Sequence, residues 1–124
     1  MKATIASLIF LLLSLAVSSQ TYKYIGIEEG LSNQKIYRIQ KDARGYMWFL
    51  THVGIDRYNG KEIKHYKLKE GDRELDPLLN INWTYLDKTG TLLVTGKQGR
   101  IFRYDSGHDR FVQIYSMYNY WNKD

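Results

Sequence analysis

The sequence predicts an all-β chain, and three observations carry that reading. Short runs of β-branched and aromatic residues alternate with turn residues along almost the whole length. No window of eleven or more residues after the first twenty holds the 3.6-residue apolar period of an amphipathic helix. The composition is tyrosine-rich and well punctuated, with 15% aromatic residues, eleven of them Tyr, ten Gly and a single Pro. A disordered chain does not carry that balance.

Element by element, strands are expected at 22–27, 35–40, 46–50, 55–58, 62–68, 81–86, 91–94, 100–104 and 110–115. Asn59-Gly60 between two of them is a two-residue hairpin signal in which both turn positions take positive φ. Asp42-Ala43-Arg44-Gly45 and Asp87-Lys88-Thr89-Gly90 are Asp-x-x-Gly turns, whose aspartate accepts hydrogen bonds from the backbone just ahead. Only residues 70–79, charged and containing Pro77, read as a longer connection.

The N-terminus has another purpose. Lys2 precedes an apolar run from Ile5 to Val17, broken only by Ser7 and Ser14, and small residues follow through Ser19. This is the pattern of a signal peptide. Thirteen helical residues rise about 20 Å, short of the roughly 30 Å hydrocarbon core, which disfavours a permanent span. Signal peptidase is therefore expected to cut after Ser19, with Gln20 the mature N-terminus in the periplasm or outside the cell. The remaining chain of about 105 residues is the size of one small domain. It keeps seventeen basic against thirteen acidic side chains, a mild net +4. Cysteine is absent, which excludes disulfides, thiolate metal sites and thiol nucleophiles.

The chain also repeats itself. Ile36 recurs as Ile81, the Asp42 turn as the Asp87 turn, and Gly54 as Gly99, each 45 residues on. Arg57-Tyr58 recurs as Arg103-Tyr104, now 46 on. Four short antiparallel strands in about 45 residues is the size of a propeller blade. The expected fold is all-β, with about two four-stranded antiparallel blades of an incomplete β-propeller after the signal peptide. Its parts are a leader at 1–19, an N-terminal strand and first blade at 20–69, a connection at 70–79, and a second blade and tail at 80–124.

Gly30-Leu31-Ser32-Asn33, Ile36, Ile39, the Asp42 to Gly45 turn, Trp48-Phe49-Leu50-Thr51 and Gly54-Ile55-Asp56-Arg57-Tyr58-Asn59-Gly60 together resemble the two-component regulator propeller repeat. The resemblance covers residues 22–115. The motif positions it marks are Asp42, Gly45, Trp48, Thr51, Gly54, Arg57, Tyr58 and Gly60, then Asp87, Gly90, Gly99, Arg103 and Tyr104. Departures are Leu50 where the family has Gly, Leu93 in place of the blade Trp, Gly96 in place of Thr51 and Thr84 in place of Ile39. The resemblance implies the periplasmic sensor region of a Bacteroidetes-type hybrid two-component system, tuned to polysaccharide breakdown products. Propellers close with four to eight blades, so about 105 residues imply an N-terminal piece of a longer sensor. The implied partners are the remaining blades of that parent and an oligosaccharide ligand. Histidine kinase activity belongs to a region that nothing in these residues resembles.

Each conspicuous residue also has a plainer role. Trp48 is expected to pack between blades, although an indole also suits a sugar face. Asp42 and Asp87 are expected to cap their turns and not to act as catalysts or calcium ligands, since the alternating acids of a calcium loop are missing. Asp105-Ser106-Gly107-His108-Asp109 has the composition of a hairpin loop. His52, His65 and His108 show no metal-ligand spacing, and no nucleophile elbow, Walker loop or dinucleotide glycine pattern occurs. No catalytic, metal or cofactor site is expected. Lys61, Lys64, Lys67 and Lys69 with Tyr58 and Tyr66 imitate a nucleic-acid stripe, but on an exported β protein the lysines guard strand edges. Asn82-Trp83-Thr84 is a chance glycosylation sequon. Two rival readings remain: a small secreted binding module that completes its sheets by oligomerising, and a piece of a propeller lyase or glycosidase.

Overall fold

The computed structural model describes residues 1, 20–76 and 81–117; the expected leader, Met1 aside, lies outside them. Two four-stranded antiparallel sheets account for most of the fold. The first contains β1 (Ile36–Lys41), β2 (Met47–Thr51), β3 (Gly54–Tyr58) and β4 (Ile63–Tyr66), paired in that order. A two-stranded hairpin follows, β5 (Lys69–Glu70) with β6 (Arg73–Glu74). The second sheet runs β7 (Trp83–Leu86), β8 (Leu92–Thr95), β9 (Ile101–Asp105) and β10 (Arg110–Tyr115), again paired in order. Each sheet is an up-and-down meander, the topology of a propeller blade. The two first strands, β1 and β7, lie side by side.

The sheets stack face to face because period-2 alternation sends every second residue to the shared side. From the first sheet come Trp48, Leu50, Ile55 and Tyr66; from the second come Leu92, Val94, Phe102, Tyr104 and Phe111. Leu68 and Leu75, joined by a hydrogen bond from Leu75 N–H to Leu68 C=O at 2.9 Å, close one end of the same core. This is one core shared by two blades.

Three expectations change. Residues 22–27 do not form a strand: Leu31 N–H donates to Gly26 C=O and Gly30 N–H to Ile27 C=O, which winds the end of the segment into a turn. The Asn59-Gly60 turn is not a two-residue loop, since Tyr58 pairs with Ile63 and leaves four residues between. Gly60 alone in that loop takes positive φ, while the Asn59 side chain accepts from Lys61 and Glu62 N–H. Finally, the strand expected at 62–68 ends at Tyr66, and the connection expected at 70–79 begins inside the β5–β6 hairpin. Alternating charge along 69–74 allows that hairpin, through Lys67 with Glu74 and Arg73 with Glu70.

Candidate functional site: the seam between the blades

The Asp-x-x-Gly turns hold the site in register. In the first, Asp42 Oδ1 accepts from the N–H groups of Arg44 at 2.9 Å and Tyr46 at 3.0 Å; in the second, Asp87 Oδ1 accepts from Thr89 at 2.8 Å and Thr91 at 3.0 Å. Gly45 and Gly90 each donate back to their aspartate's carbonyl, both at positive φ. The second carboxylate oxygen is used differently. Asp42 Oδ2 accepts from the Trp48 indole at 2.8 Å, whereas Leu93 at the matching place has no N–H to offer and Asp87 Oδ2 takes Arg103 Nε at 2.9 Å. Those contacts, led by the Thr89 hydroxyl, hold the Asp87 carboxyl well below the ordinary range. The turns also touch, since Ala43 N–H donates to Gly90 C=O at 3.1 Å.

Trp48, 1% exposed, is the centre of the seam. Its ring meets Tyr104 at 4.8 Å and Phe111 at 5.6 Å from the second blade, and Tyr66 at 5.4 Å from its own. These tilted and edge-on contacts suit the ring quadrupoles. It is a packing residue and offers no face to a sugar.

Beside the aromatic cluster lies a charged one. Asp109 sits in the β9–β10 loop at φ +49°, a left-handed conformation that turns its carboxylate toward the first blade. Its Oδ1 accepts from Arg57 at 2.9 Å, Tyr66 Oη at 2.5 Å and Tyr104 Oη at 2.6 Å, and its Oδ2 accepts from Lys64 Nζ. Arg57 also donates to Tyr104 Oη and lies over the rings of Tyr46 and Tyr66. Burial works to raise the Asp109 carboxyl, but Lys64, Tyr104, Tyr66 and Arg57 outweigh it and hold it well below the ordinary range. Burial, then the Asp109 bond, pushes the Tyr104 phenol up to about 12 and Tyr66 higher still. Both phenols therefore remain donors at any ordinary pH.

The geometry of these four strands and two turns is the context of the sequence match. Residues 30–52 match the family model of the two component regulator propeller. The match runs from the Gly30 turn through β1 and the Asp42 turn to the end of β2. No curated protein matches the chain.

Within this repeat geometry the marked residues take distinct places. Thr51 is buried on the side of the first sheet away from the seam, where its hydroxyl meets Ser32 Oγ at 3.0 Å and donates to Gly54 C=O. Arg57 and Arg103 occupy matching positions, the first inside the seam and the second at the surface. Tyr58 is partly exposed with its hydroxyl on Gly60 C=O, whereas Tyr104 is buried. Gly99 closes the 3-10 turn Lys97–Gly99, against Met117. Asp56, Tyr66 and Asp109 take structural roles that their places in a motif, a basic stripe and a loop do not announce. Asp56 is fully buried and holds residues 30–32 onto the first sheet, accepting from Ser32 N–H and Oγ at 2.8 Å each, with His65 Nδ1 on its other oxygen. Asp56 does stand inside the Gly54 to Gly60 motif; Asp109 was hidden in loop composition.

The two blades also share an orientation. The first blade's seam face carries Trp48, Ile55, Arg57 and, opposite Ile55, Tyr66. The same face of the second blade carries Leu93, Ile101, Arg103 and, opposite Ile101, Tyr115. Among the described residues nothing covers that second face, and Tyr85, Val112 and Tyr115 are exposed on it. Its residue pattern repeats that of the seam-facing side of the first blade.

Proposed function

We propose that the chain is the N-terminal part of a periplasmic sensor propeller of a hybrid two-component regulator, receiving an oligosaccharide signal and catalysing nothing itself. The observation that carries this reading is the outer face of the second blade, which repeats the packing pattern of the first and lies open, combined with the regulator-propeller match over residues 30–52. A blade buries one face against each neighbour, so further blades of the parent protein are the fitting partners of that face. Kinase chemistry would belong to a later region of the parent.

The test is the gene itself. Sequencing the locus and its transcript beyond codon 124 is expected to find more Asp-x-x-Gly and Trp repeats, then a membrane span and a kinase core. A stop codon there, with a monomer that melts cooperatively in solution, would refute the reading. Export is tested separately, by intact mass of the periplasmic protein, expected to begin at Gln20. Recovery of Met1 in the membrane fraction would overturn it.

A further inference from the structure

A cleft of about 290 Å³ opens where β1 and β7 meet, on the opposite side of the seam from Asp109. It lies at the small end of the range for ligand pockets, roughly 300–1,000 Å³. Its walls combine aromatic surface with hydrogen-bond donors. Trp83 and Tyr37 are both large and half exposed. The Arg38 guanidinium lies 4.2 Å over the Trp83 ring, a contact that ties the two blades together and fixes the direction of its N–H groups.

The charge of the cleft is one-sided. Arg57, Arg73, Arg100 and Arg103 each meet a carboxylate, whereas among the described residues Arg38, like Arg44 and Arg110, meets none. No Asp or Glu lines the walls. Lys35 adds a second cation at the rim, 5.3 Å over the Tyr37 ring. His52 is held through Nδ1 by the Tyr37 hydroxyl at 2.7 Å, so its Nε2 is the nitrogen directed elsewhere, and Asn82 adds a side-chain amide to the lining. A half-buried guanidinium with open donors beside flat apolar rings has the chemistry of a carboxylate receptor with a ring platform.

We propose that this cleft binds an acidic sugar unit, a uronate, with its carboxylate on Arg38 and its ring against the Trp83 and Tyr37 surface. The assignment rests on the reception reading above and adds to it the place and the charge of the ligand. Neutral sugars lack the group that Arg38 is prepared to meet, and simple carboxylates lack the ring.

The test follows Arg38 Nε–H and the indole signal of Trp83 by NMR in the full chain, titrated with digalacturonate, galactobiose or acetate. Digalacturonate is expected to shift both signals, with galactobiose and acetate at least tenfold weaker. Arg38→Gln and Trp83→Ala should each weaken digalacturonate about tenfold or more, the scale of one charge-assisted contact, while retaining dispersed spectra. Equal binding of galactobiose, or unchanged affinity in Arg38→Gln, would overturn the acidic assignment and leave oligosaccharide reception standing. Binding of none of the three, or shifts mapping only outside the cleft, would overturn the cleft as the subsite. The sensor reading then stands or falls separately, on the sequence beyond codon 124.

Discussion

Gly45 and Gly90 offer a controlled experiment on whether the two blades meet in solution as they do here. Both occupy the last position of an Asp-x-x-Gly turn, with φ of +87° and +73°. An alanine at either place carries the cost of a left-handed conformation, about 1 kcal/mol. Their surroundings differ. A Cβ on Gly45 would have no heavy atom within 4 Å, whereas one on Gly90 would stand 2.5 Å from Ala43 Cβ and 3.3 Å from that residue's backbone. The Gly90 contact crosses the seam, so relieving it means moving one turn away from the other and breaking the Ala43 N–H bond to Gly90 C=O. Overpacking of this kind costs typically about 1–3 kcal/mol beyond the conformational penalty. Urea denaturation followed by circular dichroism should therefore find Gly45→Ala destabilised by about 1 kcal/mol and Gly90→Ala by about 2–4 kcal/mol. Removing the opposing methyl in Ala43→Gly/Gly90→Ala should recover most of the difference, since the nearest remaining atoms are then backbone at an adjustable distance. A double-mutant cycle isolates that coupling. Equal losses for the two single variants, with no coupling to Ala43, would refute the juxtaposition of the turns and with it the seam.

Trp48→Ala removes a fully buried ring that touches three others and supplies Asp42 with an N–H; a loss of about 3–5 kcal/mol is expected by the same denaturation, large against the marginal stability of a small domain. Thr84→Val should stabilise the fold by about 1 kcal/mol, because the Thr84 hydroxyl is buried on the seam side of β7 with no partner among the described residues; thermal melting reads it. The Asp109 carboxyl is depressed in the fold, so its contribution is complete above its unfolded value, near 4, and is lost as pH falls below that. Stability measured from about pH 5 down to 2 should thus fall more steeply in the wild type than in Asp109→Asn. Tyr104 has the opposite sign: its folded value of about 12 means stability lost as pH rises above about 10, and Tyr104→Phe should flatten that limb.

The local units are legible in the order of residues alone. Period-2 alternation, the Asp-x-x-Gly turns and the 45-residue spacing depend on residues near one another in the chain, and they specify two four-stranded meanders with turns capped by Asp42 and Asp87. Trp48, flanked by Tyr46 and Leu50 on one strand face, was readable as packing for the same reason. What crosses the seam depends on how the two sheets stack. Asp109 lies 52 residues from Arg57 and 43 from Tyr66, and no periodicity relates them. Only the stacking of one sheet on the other brings a loop carboxylate over two phenols and a guanidinium. Residues 22–27 make the point in reverse: their composition suits a strand, but a strand needs a free edge to bond, and whether one is near is a property of the assembled sheets. Ile39 and Thr84 likewise occupy matching positions in the repeat, yet Ile39 is exposed and Thr84 buried, because in the second blade that face packs against the first sheet, whereas in the first blade it is covered only farther along, around Thr51 and Asp56. Local chemistry sets which side of a strand a residue takes; the neighbour that reaches that side sets whether it meets water.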